Sequence, residues 1–128
     1  MQLEKPLLNS YMSVLFIGYP KCTTCKKAYA TLQSLGIEAE YRNIKEENPT
    51  KEEICHWLDL GVDINKLWNT SGQAYRTLQL KDKRKTMSQE EMVDLLASDG
   101  MLVKRPIVIQ GSTVIVGNKT DEYSKLSK

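Results

Sequence analysis

The sequence predicts an α/β architecture: a mixed sheet of four strands flanked by helices. Three observations point to it. A short apolar run, a helical pattern and a second β-rich run follow one another between Ser13 and Ile44, which is the order of a strand–helix–strand unit. Two β-rich runs then close the chain around a Gly-Ser pair, as a hairpin does. Between these parts, about residues 49–100 read as helix, with two separate start signals and no β-rich run.

Each element has a local reason. Ser13–Gly18 (SVLFIG) is continuously apolar and ends in glycine, as expected of a buried strand. Tyr19 and Pro20 turn the chain. A helix over about Thr23–Leu35 follows from Ala28, Leu32 and Leu35 at helical spacing, with Gly36 as its stop. Glu38–Ile44 is the second strand. Pro49 suits a first helical turn, and Thr50 with Glu53 forms a capping box. Ile54, Trp57 and Leu58 give that helix its apolar face and Gly61 ends it. Asn69-Thr70-Ser71-Gly72 is turn chemistry, followed by a short helix over about Gln73–Leu78. Ser88 and Glu91 form a second capping box, with Val93, Leu95 and Leu96 behind it and Asp99-Gly100 closing the helix. Ile107–Gln110, Gly111-Ser112 and Thr113–Gly117 make the hairpin. Lys119–Leu126 is a last short helix. Residues 1–12 lack periodicity and read as a loose extension. Residues 13–128 read as one domain, with the helical middle as an insertion.

Composition narrows the function classes. The chain has 128 residues, 41% hydrophobic and 27% charged, enough to bury a core without disulfides or metal. Its 18 basic and 16 acidic residues give a net charge of +2, which supplies no general attraction to nucleic acid or anionic membrane. The longest apolar run, Val14–Ile17, is far short of the roughly 20 residues of a membrane-spanning helix. The start of the chain lacks a basic segment followed by an apolar one, so a cytoplasmic location is expected. Lys81, Lys83, Arg84 and Lys85 form a local basic run, read as a solvated loop or a docking patch for an acidic partner.

Three cysteines, an odd number, argue against a disulfide framework. Cys22 and Cys25 are the sharpest feature. Three residues apart at a helix start, they share a face and can close a small disulfide ring. Cys22 precedes the first turn, where free N–H groups and the helix dipole favour an anion. Lys21, Lys26 and Lys27 add positive potential. Cys22 is therefore the expected nucleophile, and Cys25, deeper in the helix, the resolving thiol. The same spacing also serves metal sites and inert buried pairs. Adjacent Cys55 and His56 point in different directions on a helix and suit a shared ion poorly, and no second Cys-x-x-Cys completes a four-thiolate site, so no metal is expected. Cys55 reads as a small core residue and His56 as a surface one. Arg105-Pro106 stands before a strand. Its peptide bond could be cis and present backbone to a substrate, and Arg105 could bind an oxyanion or pair with the Cys22 thiolate. Arg76 and Arg42 are weaker candidates for that role. Asn69, Thr70 and Ser71 could hold an anion or cap the next helix.

Three segments together carry a resemblance. They are Tyr19-Pro20-Lys21-Cys22-Thr23-Thr24-Cys25-Lys26-Lys27, Asn69-Thr70-Ser71-Gly72-x-x-Tyr75-Arg76 and Gly100-Met101-Leu102-Val103-Lys104-Arg105-Pro106-Ile107. In them the chain, from about Ser13 to Tyr123, resembles the ArsC-like family. The resemblance implies a thioredoxin-like fold with a helical insertion and a cis bond before Pro106. It implies thiol chemistry with no bound cofactor and an external reductant: thioredoxin, glutaredoxin with glutathione, or another small thiol. Arsenate reductases of this family use one cysteine, matched by Cys22, and three arginines. Arg105 matches the one before proline, Asn69 stands near the second with Arg76 beyond it, and none stands near Gly117-Asn118. Cys25 resembles the second cysteine of Spx-type regulators, which sense disulfide stress and bind RNA polymerase. The expected reading is a thiol–disulfide oxidoreductase. Its partners would be a disulfide-bearing protein or a small oxyanion, and a thiol reductant. Cys22, Cys25 and Arg105 would be catalytic, with Pro106, Asn69 and Arg76 at the substrate. Arsenate reduction and an Spx-type switch on RNA polymerase are the alternatives.

Overall fold

A computed structural model describes residues 13–128; the extension expected over residues 1–12 lies outside them. The described chain forms β1 (Val14–Gly18), α1 (Thr23–Ser34), β2 (Ala39–Asn43), α2 (Lys51–Asp59), α3 (Gln73–Thr77), α4 (Leu80–Lys83), α5 (Gln89–Ser98), β3 (Ile107–Gln110) and β4 (Thr113–Val116). The expected mixed four-stranded sheet is present, in the order β2-β1-β3-β4. β1 pairs antiparallel with β3, Phe16 opposite Val108, and β3 with β4 in the register Gln110 opposite Thr113. That register leaves Gly111-Ser112 as the two-residue turn, with Gly111 at φ 59°, a left-handed conformation that glycine adopts without strain.

Two compact units are built from this chain. The first joins the described residues through Arg42 to Arg105–Lys128. Its core holds Val14, Phe16, Cys25, Ala28, Leu32, Ile37, Val108, Ile115, Tyr123 and Leu126. Cys25, Ala28 and Leu32 are the buried stripe of α1, at the spacing that one helix face requires. Leu35, expected on that stripe, is instead the capping residue and is 39% exposed. The helix ends one step earlier because Gly36 takes φ 76° and returns its N–H to Gln33 O, while Ile37 N–H reaches Leu32 O, a closure that turns Ile37 inward. The last helix is a tight 3-10 segment over Thr120–Lys125 that buries Tyr123 completely. Gln110 on β3 exchanges two hydrogen bonds with the backbone of Ser127, each 2.9 Å.

The second unit is Asn43–Lys104. Both expected capping boxes are formed: Thr50 with Glu53 opens α2, and Ser88 with Glu91 opens α5. α2 buries Ile54 and Trp57. Cys55 falls between them on the outer face and is exposed, which corrects its expected place in the core. The basic run also departs from expectation: Lys81 and Lys83 are in α4, and Arg84 and Lys85 in a 3-10 turn. Lys81, Lys83 and Lys85 are exposed, but the Arg84 guanidinium lies 5.0 Å over the Trp68 ring and donates to Tyr75 Oη at 3.0 Å and Asn65 Oδ1 at 2.8 Å. Arg84 thus helps to hold this unit together through cation–π and hydrogen-bond contacts. Gly100 has no room for a side chain, because a Cβ would sit inside the Ile44 carbonyl. Ser88→Ala is expected to cost about 1 kcal/mol, the usual worth of a helix cap. Gly100→Ala should cost more, roughly 2–4 kcal/mol, because backbone must move. Urea unfolding of both variants measures the order, and a smaller loss for Gly100→Ala would contradict it.

Candidate active site

The chemistry-bearing residues of the first unit meet where β1 hands over to α1. Cys22 is the N-cap of α1, its backbone extended at φ −91° and ψ 119°, and its N–H is bound to Tyr19 O at 2.9 Å. The helix begins between the two cysteines, so they sit differently. Cys25 is on the buried stripe at 0% exposure, and Cys22 is half-exposed. Tyr19 N–H donates to Cys25 Sγ at 3.5 Å. Gly18 lets these parts close up. A Cβ there would lie 2.6 Å from Phe16, 3.0 Å from Tyr41 Oη and 3.3 Å from Cys25 Sγ. The bond between Arg105 and Pro106 is cis, as the resemblance implied. Pro106 O accepts Gly117 N–H at 2.7 Å, which fixes this entry to β3 beside the end of β4. From it the Arg105 guanidinium lies 5.3 Å over the Tyr19 ring and close enough to Cys22 to favour its thiolate. Arg105 Nε and Nη1 are sealed from water and hold no hydrogen-bond partner.

The two thiols are electrostatically opposed. Partial burial alone would raise the Cys22 thiol, but the Cys25 backbone N–H, the Cys25 thiol and Arg105 outweigh it and hold Cys22 below its ordinary value. Lys21, Lys26 and Lys27, expected to contribute, are exposed at the surface, and the stabilising groups are Cys25 and Arg105. Burial pushes Cys25 up to about 12, with a further rise from the Cys22 charge. Cys22 is thus the readily ionised thiol and Cys25 the reserve. Around them stand aromatic residues that motif reading missed. Tyr29 and Tyr41 pack on Phe16 with ring centres 5.2 and 5.1 Å away. Tyr41, with Pro20, Lys26 and Tyr29, lines an open groove of about 390 Å³. Tyr123 Oη is buried without a partner. Tyr41 could have been suspected from strand alternation in β2, but nothing local marks Tyr123.

Asn69 and Arg76 belong to the second unit. Asn69 Nδ2 donates to Met101 O at 3.3 Å, and Arg76 donates to Ser71 O at 2.9 Å and to Gln73 Oε1 at 3.4 Å. Gly72, not Asn69, is the N-cap of α3. Thr70 and Ser71 are exposed. Arg42 lies on β2 and is already partnered. Among the described residues, no group of three or more His, Cys, Asp or Glu is placed to hold a metal ion, and no helix is long and apolar enough to cross a membrane.

Arg105→Met, in a Cys55→Ser background, should raise the pKa of Cys22, read from the pH dependence of its alkylation. An unchanged pKa would remove Arg105 from the site's electrostatics. Cys22 ionises more readily folded than unfolded, so its contribution is present above the free-thiol value of about 8.5 and fades as pH falls through its lowered folded value. Cys25 contributes the opposite, losing stability as pH rises from about 8.5 towards its folded value of about 12.

An uncharacterised protein of Bacillus subtilis, YusI, is 46% identical over 89% of this chain and 98% of its own length. The regulatory protein MgsR of the same organism is 32% identical over 88% of this chain and 89% of its own. An ArsC family related protein from Bacteroides fragilis, solved by crystallography, superposes with a TM-score of 0.87 at 45% identity, covering 91% of this chain and 99% of that one. The fold is the thioredoxin-like one that the sequence implied. The model of the ArsC family matches residues 17–126, and the chain belongs to that family.

Proposed function

We propose that this chain is a thiol–disulfide oxidoreductase in which Cys22 is the nucleophile and Cys25 the resolving thiol. One observation carries the reading: a half-exposed thiol held below its ordinary pKa beside Arg105, backed by a buried thiol three residues on. Cys22 thiolate attacks one sulfur of a substrate disulfide. That S–S bond breaks, the first substrate thiolate leaves, and a mixed disulfide forms on Cys22. Cys25 then loses its proton and attacks Cys22 Sγ. The mixed bond breaks, the second substrate thiolate leaves, and a Cys22–Cys25 disulfide remains. The substrate gains two electrons and the dithiol loses them. An external thiol, such as thioredoxin, glutaredoxin with glutathione or a smaller thiol, returns the dithiol to its reduced state. Arg105 stabilises the attacking thiolate. Pro106, next to Arg105 at the entry to β3, contacts the substrate in this reading.

Two features favour disulfides over arsenate. Cys25 supplies a resolving thiol within the chain, and of the three arginines of arsenate reductases only Arg105 is matched in place, with Asn69 near the second position and no arginine near Gly117-Asn118. A second reading is a redox-switched regulator, favoured by the likeness to MgsR. There the same dithiol would sense oxidation and change affinity for a protein such as RNA polymerase.

Incubation with a protein disulfide and a thiol reductant tests the enzymatic reading. Cys22→Ser should abolish turnover, at least roughly a hundredfold. Cys25→Ser should keep the first attack and accumulate a mixed disulfide on Cys22, visible by mass. Turnover that survives Cys22→Ser would overturn the assignment. Redox-dependent binding to polymerase with no turnover would favour the regulator.

A further inference from the structure

The mechanism leaves one proton without a route. Cys25 is fully buried, yet it must lose its proton to resolve the mixed disulfide. Among the described residues no charged side chain is buried that could take it. Three tyrosine hydroxyls belong to residues packed in the same cluster as Cys25. Tyr29 Oη is occupied by Ala39 O at 3.3 Å. Tyr123 Oη is sealed and unpartnered, so a proton passed to it has nowhere to go. Tyr41 differs from both. Its Oη and Cys25 Sγ converge on the side-chain-free space at Gly18, 3.0 and 3.3 Å from the same point. Its ring is a wall of the open groove shared with Pro20, Lys26 and Tyr29.

From this placement we propose that Tyr41 is the proton relay of the resolving step, carrying the Cys25 proton to water in the groove. The proposal rests on the oxidoreductase reading. Tyr41 Oη accepts the proton from Cys25 Sγ as its own proton passes to a groove water. Tyr41 ends neutral, and Cys25, now a thiolate, forms the bond to Cys22 Sγ. The mixed S–S bond breaks and the substrate thiolate leaves. No outside oxidant is needed, because the mixed disulfide takes the electrons. Burial raises both Cys25 and Tyr41 above their ordinary values, so both groups hold their protons at neutral pH and Cys25 needs an assisted route to lose its own. Gly18 is then part of the device, since a methyl group would occupy the space where the two groups converge.

A small aromatic disulfide, dithiobis(nitrobenzoate), separates the two steps, because each releases one coloured thiolate. In a Cys55→Ser background, single-turnover mixing should give a fast phase for attack by Cys22 and a slower one for resolution by Cys25. Tyr41→Phe keeps the ring on Phe16 and Tyr29. It should leave the first phase within about twofold, slow the second roughly ten- to a hundredfold, and remove the second phase's solvent isotope effect. Tyr29→Phe should change neither phase. An unaltered second phase in Tyr41→Phe, both phases slowed alike, or slowing in Tyr123→Phe instead, would overturn the relay. Absence of any second phase in the parent protein would overturn the oxidoreductase reading itself, which keeps the two failures distinct.

Discussion

The start of α1 falls between Cys22 and Cys25, and the rest of the site depends on that position. With Cys22 as the N-cap, its thiolate lies where the Cys25 N–H and Arg105 favour its charge. With Cys25 inside the helix, its sulfur joins the stripe of Ala28 and Leu32 facing the sheet. Two identical side chains acquire opposite acid strengths because one is held by donors and the other is stripped of water. A helix start moved by one residue would rotate Cys25 by about 100° and remove it from the core.

The sheet supports this arrangement. β1 ends at Gly18, whose missing side chain lets Phe16, Tyr41 and Cys25 approach one another. β3 begins directly after Pro106, so the strand that pairs with β1 also delivers Arg105. The site is therefore made from a strand end, a helix start and a strand entry of one compact unit, each fixed by its own backbone bonds. Its parts are rigid where the chemistry needs position: the Cys22 N–H, the Cys25 sulfur and the Pro106 carbonyl all have backbone partners.

Much of this was legible in the sequence, for identifiable reasons. The capping boxes at Thr50 and Ser88 and the Gly111-Ser112 turn are local chemistry, and local chemistry can be read from neighbouring residues. The asymmetry of Cys22 and Cys25 was legible because both positions are set by one helix start. Cys55 was misplaced because two apolar neighbours, Ile54 and Trp57, mark the face of α2 but leave the side of an intervening residue to its precise rotation. Arg84 looked like one of several surface cations. Its role depends on Trp68, Tyr75 and Asn65, which lie far from it in sequence, and no local pattern announces such a set. Tyr41 and Tyr123 escaped notice for the same reason: their importance comes from where the fold places Cys25.

The central claim is that Cys22 and Cys25 act as one redox unit while Cys55 stands apart. Equilibrating the protein across a series of glutathione redox buffers and mapping its disulfides by mass spectrometry tests this most directly. The predicted product is an intramolecular Cys22–Cys25 disulfide that forms and disappears in a single two-electron transition. Independent glutathione adducts on Cys22 and Cys55, with Cys25 remaining a free thiol throughout, would contradict it.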